Sequence, residues 1–169
     1  PERFERWQHL ARLSLSGLEQ VSTVRNPERG TRHVELRFAN GARVPAWGVS
    51  EGSLRFLALT ILPYQEDTSG LYCIDEPENG LHSPLIEDLD DAFRSMYDGQ
   101  VMVATHSEAL VSVTKPDELI VTSLNENGET VVVRGNKHPL LSNANAMTLR
   151  MLFAGGGLMD PRWMECVQP

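Results

Sequence analysis

Several protein classes are excluded by what this chain has little of. Its 169 residues include two cysteines, Cys73 and Cys166, too few for a disulfide framework and without the paired spacing of a zinc finger. No apolar run approaches the roughly 18 residues that a membrane span needs. The polar opening Pro1-Glu2-Arg3-Phe4-Glu5-Arg6 does not read as a secretory leader, so a cytoplasmic location without a membrane is expected. Positive charge is scarce: 15 Lys and Arg against 23 Asp and Glu leave a net charge of −8. That balance speaks against this chain alone as a nucleic-acid grip, but not against nucleic acid as a partner of a larger assembly. The chain also starts at Pro1 without an initiator Met, which suggests a piece of a longer protein.

What remains is an ordinary globular composition, 41% apolar and 22% charged. A chain of this length buries roughly two-thirds of its unfolded surface, enough for one domain over residues 1–169. Apolar positions at Phe4, Trp7, Leu10, Ala11, Leu15 and Leu18 predict an amphipathic helix. Val21 to Arg25 and the alternating run 34–38 read as strands. Asn40-Gly41 then predicts a hairpin whose return strand covers 42–46. Leu54, Phe56, Leu57, Ala58, Leu59, Ile61 and Leu62 predict a helix apolar nearly all round, hence buried, and ended by Pro63.

The segments 71–74 and 101–104 are short continuous apolar runs, the pattern of strands covered on both faces, with Cys73 as a small core hydrophobe. Between them Ser83 and Pro84 offer an N-cap and a first helical residue, followed by an inner stripe of Leu85, Leu89, Ala92, Phe93 and Met96. Strand, helix and strand in this order make a βαβ unit with parallel strands. A second hairpin around Asn127-Gly128 and a helix over about 144–153, stopped by Gly155 to Gly157, complete the chain. The expected fold class is α/β, with a mixed sheet of parallel core strands and β-hairpins flanked by helices.

In open parallel sheets, ligands collect where the strands end. One predicted strand ends in Asp75-Glu76, the other in Thr105-His106-Ser107. Four apolar residues followed by two acids suit a nucleotide-hydrolysing strand: Asp75 would reach Mg²⁺ and Glu76 would orient or deprotonate water. The same pattern also fits a solvated strand end before a proline. Ser50-Glu51-Gly52-Ser53 before the apolar helix offers a hydroxyl, a close backbone approach and free amides, together an anion seat. Taken alone, the run is read first as a plain Ser-capped helix. His106 suits a phosphate contact, or merely a backbone bond.

Order and spacing join these signals. Ser50 to Arg55, then Leu71 to Glu76, then Pro77-Glu78-Asn79-Gly80-Leu81-His82, then Ala104 to Ser107 resemble the signature motif, Walker B, D-loop and His switch of ABC-type ATPase heads. The version resembled is that of the OLD-like, RecF/SMC-related AAA-family ATPases of bacteria, over about residues 34–135. The resemblance implies the C-terminal lobe of an ABC-type (P-loop NTPase) head with ATP and Mg²⁺. In it Asp75 holds the metal, and Glu76 and His106 are catalytic. Ser50, Gly52 and Ser53 bind the ATP of a second subunit in trans, and Asn79, Gly80, Leu81 and His82 line the D-loop interface. Glu51 and Ser53 depart from the transporter form of the signature, which has Gly and Gln there, and His82 replaces the transporter Asp.

No Gly-x-x-x-x-Gly-Lys-[Ser/Thr] occurs in the chain, so nothing in it cradles the α- and β-phosphates. Alone it is expected to be inactive. The implied partners are an N-terminal P-loop half of the same protein, a second copy across an ATP sandwich, a nuclease subunit, and DNA or RNA reached through other regions. The implied task is an ATP-driven switch in DNA repair or phage defence. The main alternative is a non-hydrolysing scaffold that keeps the ATPase surface for protein contacts. A helicase-like core leaves Ser50 to Gly52 and His106 unexplained, and a metallonuclease would need Asp75, Glu76, His82 and His106 to converge.

Overall fold

The two apolar runs that sequence patterning marks as core strands do pair, and in parallel. In the computed structural model, which describes residues 2–141 and 146–158, β4 (Gly70–Asp75) and β5 (Gly99–Ala104) run side by side from Gly70↔Gly99 to Asp75↔Ala104. The helix between them, α3 (Pro84–Arg94), buries Leu85, Ile86, Leu89, Ala92 and Phe93, the periodic stripe expected of an amphipathic helix. Ser83 does not cap it: its backbone is already helical and its side chain makes no capping bond.

Before this unit the chain forms an antiparallel meander. Helix α1 (Glu2–Ser14) leads into β1 (Leu18–Asn26), β2 (Thr31–Phe38) and β3 (Arg43–Pro45), in the order β1-β2-β3. The Asn side chain closes each turn: Asn26 Oδ1 accepts the amides of Glu28 and Arg29, and Asn40 Oδ1 that of Ala42. Trp7, Ala11, Leu18, Val21, Leu36 and Leu57 pack into one core. Trp7 Nε1 donates to Thr60 Oγ1 at 3.2 Å, and Gln8 Oε1 accepts the Val21 amide at 3.0 Å, so the polar atoms drawn into this core are paired.

Helix α2 (Glu51–Thr60) connects this core to a second one. Its Leu57 joins the meander, while Phe56 packs with Leu85, Leu89 and Phe93 under Ile74, Val101 and Val103 of the parallel strands. Two expectations need correction here. Helix α2 buries only Phe56, Leu57 and Thr60 and leaves Ala58 exposed. The parallel pair is covered on one face only: Leu71 is 58% and Met102 51% exposed, and Cys73 is exposed rather than core. Continuous apolar sequence allows burial on both faces, but α2 and α3 reach just one.

The chain divides into two compact units, Pro1–Ala104 and Thr105–Pro169. In the second, α4 (Glu108–Val113), β6 (Ile120–Leu124), β7 (Thr130–Arg134) and α5 (Ala146–Ala154) follow in order, with β6 and β7 antiparallel. Its core is Val111, Val121, Leu141, Leu149 and Leu158. His138 is fully buried, its Nδ1 accepts the Leu140 amide at 3.2 Å, and burial pulls its pKa below the usual 6.5. Residues 144 and 145 of the expected last helix, and Cys166, lie outside the described residues.

Candidate functional site

The strand β4 ends on Asp75, whose side chain lies on the exposed face and makes no hydrogen bond or ion pair among the described residues. Its oxygens are free for a hard cation such as Mg²⁺, which takes one or two carboxylates and fills the rest of its shell with water and phosphate. Glu76 turns out of the strand with φ 44, the one non-glycine residue at positive φ among the described residues. Such a conformation costs about 1–3 kcal/mol and persists only where its surroundings hold it.

What holds Glu76 is specific. Its amide extends the parallel ladder to Ala104 O at 2.8 Å. Its carbonyl accepts the Asn79 amide at 3.1 Å and Arg55 Nη1 at 3.2 Å. Asn79 Nδ2 donates to Glu76 Oε2. Pro77, fully buried, follows and bars a right-handed helical turn at Glu76. The side chains of Asp75 and Glu76 are therefore directed differently, one from the strand and one from a turn.

The turn at 78–81 meets the start of α2 without any side chain between them. A Cβ built on Gly52 would stand 2.1 Å from Gly80 O, and Gly80 itself has φ 76, so both positions require glycine. Ser50 is the N-cap of α2: its Oγ accepts the Ser53 amide at 3.2 Å and donates to Ser53 Oγ at 2.8 Å. Ser50 O accepts the Leu54 amide. The plain capping role is thus real, and the amides of Glu51 and Gly52 remain without an acceptor among the described residues. Two open amides at a helix start attract an anion. Glu51 does not oppose one by bonding them, because its carboxylate turns along the helix to Arg55 Nη2, 3.7 Å away.

Ser50, Gly52, Ser53, Asp75, Glu76 and Asn79 to His82 all belong to the first unit. Asn79, Gly80 and His82 are exposed there, and Leu81 packs into the α3 core. His106 belongs to the second unit, exposed, just before Ser107, which caps α4 by accepting the Leu110 amide. Thr105 Oγ1 accepts the Ser107 amide at 2.9 Å. Among the described residues no three His, Cys, Asp or Glu side chains gather as metal ligands. Arg55 is the residue that motif reading overlooks, although its spacing of four from Glu51 is the sequence signal of a helical ion pair.

Comparison with known proteins agrees with this layout. The sequence profile of the family described as "AAA domain, putative AbiEii toxin, Type IV TA system" matches residues 8–112. No curated protein matches the chain. Among solved structures, an SMC ATPase studied for ATP-driven dimerisation and DNA-stimulated activation is 18% identical at a TM-score of 0.59, covering 78% of this chain and 81% of its own. The Smc head domain with coiled coil and joint from Pyrococcus yayanosii is 17% identical at a TM-score of 0.64, covering 92% of this chain and 29% of its own. The chain therefore spans less than a third of that second structure. At these identities the likeness is one of fold: mixed α/β, as in SMC-type ATPase head lobes.

Proposed function

We propose a function from one premise: the chain belongs to the family of AAA domains described as putative AbiEii toxins of type IV toxin–antitoxin systems. It is an ATPase-type domain, and in our reading it is the C-terminal half of an ATP-hydrolysing, ABC-type head. A P-loop half elsewhere in the same protein holds the α- and β-phosphates. Two such heads close head to tail on ATP, and the closure drives a switch linked to nucleic acid in DNA repair or phage defence. The open apolar face of β4 and β5, with Leu71, Cys73 and Met102 exposed, supports the missing half, because a two-stranded parallel pair normally lies inside a larger covered sheet.

Asp75 is the residue to hold Mg²⁺, which when bound neutralises charge on the phosphates. Glu76 takes a proton from the attacking water as its oxygen bonds the γ-phosphorus and the bond to the β-phosphate oxygen breaks, releasing ADP. His106 donates a hydrogen bond to a γ-phosphate oxygen. Ser50 and Ser53, with the amides of Glu51 and Gly52, face the γ-phosphate of ATP held by the other copy, and Asn79 to His82 run along that interface.

The observation that carries this reading is the exit of β4: a free Asp75, then Glu76 held at φ 44 beside the glycine contact to the start of α2. In the whole protein, Glu76→Gln should keep ATP-dependent dimerisation and lose about two to four decades of turnover, the span of a general-base deletion. Turnover within about threefold of wild type would remove Glu76 from the chemistry and with it the proposal.

A further inference from the structure

Arg55 has no role in the proposed chemistry, yet it touches both halves of the candidate site. It stands one turn into α2, about one-third exposed. Nη2 lies 3.7 Å from the Glu51 carboxylate and Nη1 donates to the Glu76 carbonyl at 3.2 Å. Glu51 is 87% exposed, so its pairing is screened and contributes little. The bond that matters is the part-buried one to Glu76, whose backbone is in the strained region and needs restraint.

We infer that Arg55 is a positioning residue that couples the start of α2 to Glu76 within one chain, so that occupancy of the Ser50–Ser53 seat is felt at the proposed base. The inference rests on the reading of Glu76 given above and adds a regulatory link to it. Three bonds fix the Glu76 backbone: the Ala104 carbonyl, the Asn79 amide and Arg55. The first two come from the strand partner and from the local turn. Arg55 alone among them brings a restraint from α2.

A second path runs in parallel, since Gly52 rests on Gly80 O with no side chain to absorb a displacement. Close-packed contacts of this kind switch between arrangements more readily than they stretch. A phosphate drawn onto the Glu51 and Gly52 amides therefore loads the turn at 78–81 through the glycines and the Glu76 carbonyl through Arg55.

The test is steady-state ATP turnover of the whole protein carrying Arg55→Ala, Arg55→Lys and each of these with Glu76→Gln. Arg55→Ala should lower kcat about ten- to a hundredfold, the cost of misplacing a reacting group by about 1 Å, with KM for ATP changed by less than about threefold. Arg55→Lys, which keeps one donor for the carbonyl, should recover most of the loss and shows that the site still folds. In the Glu76→Gln background, Arg55→Ala should add less than about twofold, because residues acting as one unit are not additive.

The same ten- to hundredfold loss in both backgrounds, or a loss carried by KM, would make Arg55 a nucleotide contact and overturn the inference. So would an Arg55→Ala kcat equal to wild type. If Glu76→Gln itself had no effect, the fault would lie with the parent reading, which that single variant reports separately.

Discussion

The two sheets of the first unit solve the same problem differently. The meander β1-β2-β3 buries Leu18, Val21 and Leu36 on one face and sets the polar Gln20, Ser22, Glu35 and Arg37 on the other, the alternation of a sheet meant to be half wet. The parallel pair buries its inner face on α3 just as well, but its outer face is apolar, with Leu71, Cys73 and Met102 exposed. The meander is finished as it stands, whereas the parallel pair has the surface of a sheet interior. The candidate site sits at the end of the unfinished one.

The largest effect expected is on the side the two sheets share. Leu89 is fully buried beneath the parallel pair, and Leu89→Ala should cost about 2–5 kcal/mol in a urea melt. A cost below about 1 kcal/mol would mean that the inner face is not packed as described. Next comes the contrast itself. Leu71→Asp in the 169-residue chain should stay within about 0.5 kcal/mol, like Thr23→Asp on the meander. Joined to the proposed P-loop half, the chain carrying Leu71→Asp should lose about 2–4 kcal/mol, from lost apolar burial and a buried charge, while Thr23→Asp stays neutral. Equal costs for Leu71→Asp with and without that half would show that nothing covers the face.

The smallest effect concerns the second unit, where burial lowers the His138 pKa below 6.5. The unfolded chain then binds the proton more readily than the folded one, so stability is complete above about pH 6.5 and declines as pH falls below it. Protonation also removes the Nδ1 acceptor used by the Leu140 amide. Thermal melts should show a lower midpoint at pH 5.5 than at pH 7.5, and His138→Gln should flatten that dependence. An unchanged slope in the variant would place the dependence on other groups.

Local order was legible in the sequence because it is local. The α3 stripe from Leu85 to Met96 is buried as its period requires, and β4 and β5 fall where the apolar runs stand, paired in parallel. Exposure was not legible, since an apolar run states what a strand tolerates and not what arrives to cover it; Cys73 and Ala58 show this. The short helix α4 went unread, its six residues offering too few turns for a period. The meander's first hairpin escaped too, because its turn is closed by the Asn26 side chain and Gly30 without an Asn-Gly pair. At the candidate site, motif order picks out Ser50, Asp75, Glu76 and Asn79 as candidates, but the left-handed backbone of Glu76 and the reach of Arg55 arise from distant segments.

The seam between Gly52 and Gly80 has a consequence for how this molecule can vary. Since only main-chain atoms meet there, a side chain on Gly52 forces the loops apart, while one on Gly80 has room but meets a backbone at positive φ. Lineages remodelling the protein would have to leave this joint untouched and adjust timing through its neighbours, Arg55 first among them, as a clock is regulated at the pendulum and not at the pivot.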